Sequence, residues 1–407
     1  MTKVLADILL ALDKGDIAML TLLDLSAAFD TVDHAILLRR LEVSYGLGGA
    51  VLSWFRSYLD GRTQFIRCGR LSSDPTPFIC GVPQGSVLGP ILFLLYTADV
   101  LRLIERHNLH PHGYADDTQV YGFCSPSSCP ELREQMSVCL DEVALWMRSN
   151  RLQLNTSKTE VLWCATSRRQ DQIPSDPIRV GGDLISPATS VRDLGIYLDS
   201  DASMRTHVLK TVSNCFAALR QIRSIRHCVS RQVMLSMVVS LVLQRLDFGN
   251  ATLVGLPAYQ MNRLQSVLNA AARLVLSRSK HDHVTPLLHE LHWLRIEQRI
   301  EFKLSVLVFR CLNGLAPSYL SRDLLRVSDL AARQRLRSSS TSMLVVPSTR
   351  LFTAGDRAFP VAAARTWNSL SRSLTSSSSL ASFRRQLKTE LFTRSFPDLD
   401  SSAYDCI

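Results

Sequence analysis

Two adjacent acids, Asp116 and Asp117, lie in the run Tyr114-Ala115-Asp116-Asp117-Thr118-Gln119-Val120-Tyr121, and no other stretch limits the fold so tightly. Short strand-forming segments flank the acids, and Gly113 and Gly122 stand outside them, which predicts a tight β-hairpin carrying both carboxylates at its tip. Such a tip is a platform for a hard cation. Magnesium is typically held by one or two carboxylates and completes its shell with substrate phosphates and water. Alone, the pair also suits an ordinary turn, where an Asp side chain bonds the nearby backbone.

A partner for these acids is found upstream. Ile17 to Leu23 is a nearly continuous apolar run ending at Asp24, which predicts a strand buried on both faces with an acid at its C-terminal end. Asp33 reads as the N-cap of a helix through Leu41, and Asp30 as a turn residue, so Asp24 is left without a structural task. If the two strands are neighbours in one sheet, Asp24 faces the Asp116-Asp117 hairpin. Two-metal phosphoryl chemistry needs a carboxylate cluster of that kind.

The rest of the first half reads as helices and strands around this pair. A helix over Gly49 to Leu59 places Trp54, Phe55 and Tyr58 in the core, and Thr63 to Cys68 reads as a strand. The loop Gly81-Val82-Pro83-Gln84-Gly85-Ser86-Val87-Leu88-Gly89-Pro90 precedes an apolar helix, Ile91 to Ile104, with Pro90 at its first position. Its glycines admit close approach of a ligand, and Gln84 offers donors and acceptors to a base or sugar. An amphipathic helix follows over Glu131 to Arg148, with Trp146 packing. Leu152 to Leu154 and Thr159 to Cys164 then read as a hairpin-like unit, with Lys158 in its turn.

Charge separates the halves. Residues 1–200 hold 18 Lys+Arg against 23 Asp+Glu, a net of −5, and residues 201–407 hold 28 against 13, a net of +15. Of those 28 basic residues 24 are Arg, whose planar fork suits phosphate oxygens, so a polyanion partner is indicated, nucleic acid first. Arg205 to Arg231, with Lys210, Arg220, Arg223 and Arg226, reads as a basic helical segment, and Leu264 to Leu276 as an amphipathic helix. His281, His283, His289 and His292 lack a cysteine pair and do not read as a zinc site. Ser371 to Ser382 reads as a linker or mobile loop, and Tyr319 to Ser342 mixes basic residues with serines.

Ten cysteines without a CxxC pair indicate reduced thiols in an intracellular protein, with nucleus or cytoplasm left open. No membrane partner is indicated. Val4 to Leu12 is interrupted by Asp7 and followed by Asp13, Lys14 and Asp16, and Val233 to Leu243 is too short to span a bilayer. Both read as buried helices.

The set L-L-D-L-S-A-A-F-D (22–30), G-V-P-Q-G-S-x-L-G-P (81–90), Y-A-D-D (114–117) and L-N-x-x-K-T (154–159) closely resembles the reverse transcriptases of non-LTR, jockey-like retrotransposons. Looser similarity continues through Val191 to Ile196, like a primer grip, and from His292 through Tyr319. The resemblance implies an α+β polymerase right hand: a palm of antiparallel sheet and helices over 1–200 with a remnant of fingers, a basic helical thumb over 201–280, and a mostly helical C-terminal region over 281–407. It implies an RNA-directed DNA polymerase in which Asp24, Asp116, Asp117 and the Leu25 carbonyl hold two Mg²⁺. Phe29 would lie under the incoming sugar, Gln84 and Gly85 against template-primer and nucleotide, and Lys158 near the triphosphate. RNA template, DNA primer and deoxynucleoside triphosphates are the implied partners; no protein partner is inferred. The resemblance further implies an N-terminally truncated member with weakened catalysis, the alternative being an inactive remnant that only binds nucleic acid.

Overall fold

A computed structural model describes residues 1–329 and 343–397, so part of the Tyr319 to Ser342 stretch lies outside the described residues. The chain divides into two compact units, residues 16–194, and residues 1–15 together with 195–407.

The first unit is built on a four-stranded antiparallel sheet in the order Glu160–Cys164, Ile17–Leu23, Asp117–Cys124, His110–Tyr114. The apolar run forms the expected strand, fully or partly buried along its length, and takes a partner on each side. Its odd-numbered residues Ile17, Met19 and Leu23 share a core with Phe93, Tyr96 and Val100 of helix Leu88–Arg106 and with Met136, Leu140, Val143 and Met147 of helix Cys129–Ser149. Burying a side chain of this size is worth roughly 1.5–3 kcal/mol, so the helices hold this face of the sheet, while Ala18 and Leu20 on the other face are buried as well. Arg40 ties the layer together. Its guanidinium lies 5.0 Å from the Tyr96 ring and 4.8 Å from that of Trp146, while donating to Asn150 Oδ1 at 2.7 Å. Trp146 is thus a packing residue, as expected.

Several expectations are corrected. Helix Leu88–Arg106 starts before Pro90, which sits third; the whole first turn lacks intrahelical partners for its N–H groups, so proline fits there too. Trp54 is 54% exposed and stacks on Tyr58 at 5.5 Å, so it is not core. Thr63 to Cys68 breaks into two exposed pieces, Thr63–Gln64 paired with Thr76–Pro77 and Arg67–Cys68 paired with Leu71–Ser72. Gln153–Leu154 and Glu160–Cys164 do not pair with each other. The first joins Leu25–Ser26 and the second joins Ile17–Leu23. Gly122 lies within its strand, where a Cβ would come 2.8 Å from Leu109 and 2.9 Å from Leu132, so packing rather than a turn demands glycine.

The second unit is helical. Helix Thr2–Lys14 belongs to it, with Asp13 accepting the backbone N–H groups of Arg350 and Leu351 and Lys3 pairing with Asp323 at 3.0 Å. Helices Ile296–Leu312, Phe359–Ser369 and Leu380–Ser395 share a core in which Phe309 stacks on Phe383 at 4.6 Å. The serine-rich stretch is not a plain linker: Arg372–Thr375 is helical with Leu374 buried, and Ser379 caps the next helix. Among the described residues no helix is long and apolar enough to cross a membrane.

Candidate active site

Asp24 follows the last residue of the central strand. Leu23 stands opposite Thr118, so one step further the antiparallel register brings Asp24 to the level of Asp117. The hairpin closes with Tyr114 opposite Asp117, leaving Ala115 and Asp116 as its two-residue loop. Ala115 holds φ 54°, and Ala27, just past the Asp24 strand end, holds φ 49°. Both bends next to the acids therefore run through the left-handed region, which costs a residue with a Cβ and persists where the surroundings enforce it.

The three carboxylates feel one another. Burial, then the Asp116 charge, then the Asp24 charge push the Asp117 carboxyl above its ordinary pKa. Asp24 Oδ2 is buried and makes no hydrogen bond among the described residues; Lys158 Nζ lies 3.3 Å away, an ion-pair distance outside hydrogen-bond geometry. A lysine is thus the cation at this acid in the protein alone.

Backbone geometry extends the site. The Asn155 N–H donates to the Asp24 carbonyl at 2.8 Å, which makes Leu25 and Leu154 the wide pair of their short ladder. In such a pair the carbonyls point out of the ladder, so the Leu25 oxygen is directed away from Gln153–Leu154. Hard oxygen donors from Asp24, Asp116, Asp117 and the Leu25 carbonyl make a set that fits magnesium rather than a softer metal. Among the described residues no group of three or more His, Cys, Asp or Glu side chains closes into a metal cage. A donor set completed by substrate phosphates has no need of one.

The glycine loop is clamped to the turn after Asp24. Val82 N–H donates to the Phe29 carbonyl and Gly81 N–H to the Val32 carbonyl, both at 2.7 Å. His34 Nε2 lies 2.7 Å from the Gly81 carbonyl, and since a carbonyl only accepts, that nitrogen carries the proton. Gly81 has φ 92°, and a Cβ on it would meet the Phe29 carbonyl at 2.9 Å. The clamp sets Phe29, whose ring packs 4.9 Å from that of Phe93. Gln84 donates to Asp30 Oδ1 at 2.7 Å, and both border a cleft of ≈ 550 Å³ with Arg62, Gln64, Phe78 and Pro83. Gly85 is exposed, with open space where a Cβ would stand.

The unit thus gathers Asp24, Leu25, Asp116, Asp117 and Lys158 at one sheet end, and Phe29, Gln84 and Gly85 along the clamped loop. Asp30, His34 and Asn155 were not picked out as site residues, because their partners lie far off in sequence. Asp193, within the stretch Val191 to Ile196, is buried, accepts from Gln119 at 2.7 Å, and is pushed up to about 6 by burial, with Asp117 adding to the shift.

Arg205, Lys210, Arg220 and Arg223 lie in the helical unit on helix Arg205–Ser224, on its exposed face opposite His207, Val208, Cys215 and Ile222. The helix stops before Arg226, which corrects the expected span to Arg231 and leaves Arg226 partly buried in the following turn. Arg205 also pairs with Asp201 at 3.9 Å.

Residues 5–198 match the family described as reverse transcriptase (RNA-dependent DNA polymerase). The chain is 28% identical over 221 residues to a probable RNA-directed DNA polymerase from transposon BS of Drosophila melanogaster, covering 53% of this chain and 24% of that protein. It is 30% identical over 206 residues to the RNA-directed DNA polymerase from mobile element jockey of Drosophila funebris, covering 49% and 21%. A probable RNA-directed DNA polymerase from transposon X-element of Drosophila melanogaster is 26% identical over 282 residues, covering 67% and 30%. The chain thus spans 24% and 21% of the first two of these curated relatives.

Proposed function

We propose, from the premise that residues 5–198 are a reverse transcriptase domain of the non-LTR retrotransposon kind, that this chain extends a DNA primer on an RNA template with deoxynucleoside triphosphates. The observation that carries the reading is the convergence of Asp24, Asp116 and Asp117 at one sheet end, where burial first, and then the Asp116 and Asp24 charges, raise the Asp117 pKa. Folding does not gain from such repulsion. A site for cations does.

In this reading the sheet unit, residues 16–194, is the body of the palm expected over 1–200, residues 201–280 are the thumb, and the described helices after residue 280 belong to a C-terminal region. Reverse transcriptases use divalent metal ions, and two Mg²⁺ would be held by Asp24, Asp116, Asp117 and the Leu25 carbonyl. Held there, such ions would supply Lewis-acid activation of a primer 3′-hydroxyl and charge stabilisation for a leaving pyrophosphate. Lys158 neutralises Asp24 in the protein alone and is released toward the triphosphate, where its ammonium can protonate pyrophosphate. Phe29, held by the Val82 bond and the Phe93 ring, would occupy the space a ribose 2′-hydroxyl needs. Gln84 and Gly85 would line the path of template and nucleotide. Arg205, Lys210, Arg220, Arg223 and Arg226 would follow phosphates of the duplex.

Primer extension on an RNA template with Mg²⁺ tests the reading. The chain should incorporate deoxynucleotides, and an Asp116→Ala, Asp117→Ala form should lose roughly 10³-fold or more of that rate. No incorporation by either form, or equal incorporation by both, rejects it in favour of a protein that only binds nucleic acid.

A further inference from the structure

The helical unit holds a groove of ≈ 440 Å³ between helix Ala258–Val275 and the segment running from helix Val284–Glu290 to the start of helix Ile296–Leu312. Its volume lies in the range of small-ligand pockets, roughly 300–1,000 Å³. Met261 and Leu288 give it apolar walls, and Asn262, Asn269, Thr285 and Arg295 line it with polar groups. Gln265 is engaged in structure: its Oε1 accepts the Ile296 N–H at 2.9 Å, and its Nε2 donates to Asn269 Oδ1 at 2.8 Å. That occupies the Asn269 oxygen and leaves its N–H₂ group for a ligand. The exposed Asn262 amide makes no hydrogen bond among the described residues.

Arg295 joins the groove to a patch of rings. One Nη donates to Thr285 Oγ1 at 3.4 Å, and the guanidinium lies 5.6 Å from the Phe396 ring. Phe396, itself buried, packs 4.8 Å from the half-buried Phe392, and Phe392 lies 5.1 Å from His289 and 5.5 Å from His292, the exposed ring of the group. An amide-lined slot, an arginine at its edge and rings beside it form the combination by which proteins take hold of single strands. A base is hydrogen-bonded on its edges, its neighbour stacks on an aromatic face, and the guanidinium meets a phosphate.

We propose that this groove seats an unpaired nucleotide of single-stranded RNA. The base lies between Asn262 and the Asn269 amide against Met261 and Leu288, its phosphate meets Arg295, and the adjacent base stacks on His292 and Phe392. Glu297, which also lines the groove, accepts from an exocyclic amino group and keeps phosphate to the Arg295 side. The site needs no metal and no nucleotide transfer, so it goes beyond the polymerase reading.

The test uses the full chain and a short RNA carrying 4-thiouridine. After irradiation, crosslinked peptides should map to residues 256–297 or 392–396; crosslinks only elsewhere would overturn the proposal. A DNA oligonucleotide of the same sequence forms the second arm, and labelling of these peptides by DNA but not RNA would overturn the assignment to RNA. In fluorescence anisotropy, Asn262→Ala with Arg295→Gln should weaken single-stranded RNA binding about five- to tenfold and leave a duplex of equal length unaffected. No loss, or the same loss on duplex, counts against the groove. Should that variant fold poorly in a thermal melt, the crosslink map on the unaltered chain decides. None of these readouts depends on primer extension, so failure of the polymerase reading would not be mistaken for failure of this one.

Discussion

In residues 16–194 the carboxylates of Asp24, Asp116 and Asp117 come from segments far apart in sequence and are brought together by strand register. Among residues 195–397 the basic side chains of Arg205, Lys210, Arg220 and Arg223 are strung along the exposed face of one helix. The first arrangement works against folding, since burial and then the charges of Asp116 and Asp24 raise the cost of ionising Asp117. The second is solvated, and any one of its charges contributes little. A single substitution should therefore empty the acidic site, whereas the basic face should weaken in small increments.

The largest expected effect follows from that contrast. Asp24→Asn should reduce primer extension roughly 10³-fold or more while the melting temperature holds or rises, because one source of repulsion on Asp117 is gone. Arg220→Gln in the same assay should cost only a few-fold. Comparable losses from the two would erase the distinction drawn between the regions. Next in size is Gly81→Ala, which forces a Cβ to within 2.9 Å of the Phe29 carbonyl at a positive φ. We expect a loss of about 2–3 kcal/mol in denaturant unfolding. If stability were unchanged, the loop would not be clamped to the Phe29 turn.

The same contrast explains what could be read in the sequence. Asp24, Asp116 and Asp117 were legible because a buried strand must end somewhere and an acid at its end stands out; the apolar run Ile17 to Leu23 proved to be the strand itself. The helical face was legible through local periodicity. What depended on pairing between distant segments was not. Gln153–Leu154 and Glu160–Cys164 looked like partners because they are adjacent, yet each pairs with a different upstream strand. Asp30 is the turn residue it was read as, its N–H bonding the Ala27 carbonyl, but that its carboxylate also receives Gln84 from the glycine loop could not be seen. Trp54 passed for core because aromatic content says nothing about which helical face is covered. Ser371 to Ser382 passed for a linker because serines hide the buried Leu374 that anchors a short helix.

A smaller effect sharpens the basic side of the comparison. Replacing Arg220 and Arg223 together by Gln should lower the dependence of duplex affinity on salt, the log–log slope falling by about 2 for two lost phosphate contacts. Affinity for duplexes of different sequence should drop evenly, as phosphates carry no sequence. A slope that stays where it was, measured by anisotropy across a salt series, would assign these arginines to solvent alone.

The smallest effect concerns the buried side of that same helix. His207 is 5% exposed, with its Nδ1 3.5 Å from the Tyr197 N–H, and burial lowers its pKa even though the Asp199 charge pulls the other way. The folded protein therefore holds the ring neutral at a pH where the unfolded chain takes up a proton. Stability from this group is present above the unfolded value of about 6.5 and is lost as pH falls through the lower, folded value. Unfolding midpoints should decline over that window, and His207→Gln should flatten this part of the decline. The acidic site works with the opposite sign, since burial first, and then the Asp116 and Asp24 charges, raise the Asp117 carboxyl, so that it favours the fold only where it is protonated. An unchanged decline in the His207→Gln protein would mean that another group sets it, and the two regions would then not be separable by pH.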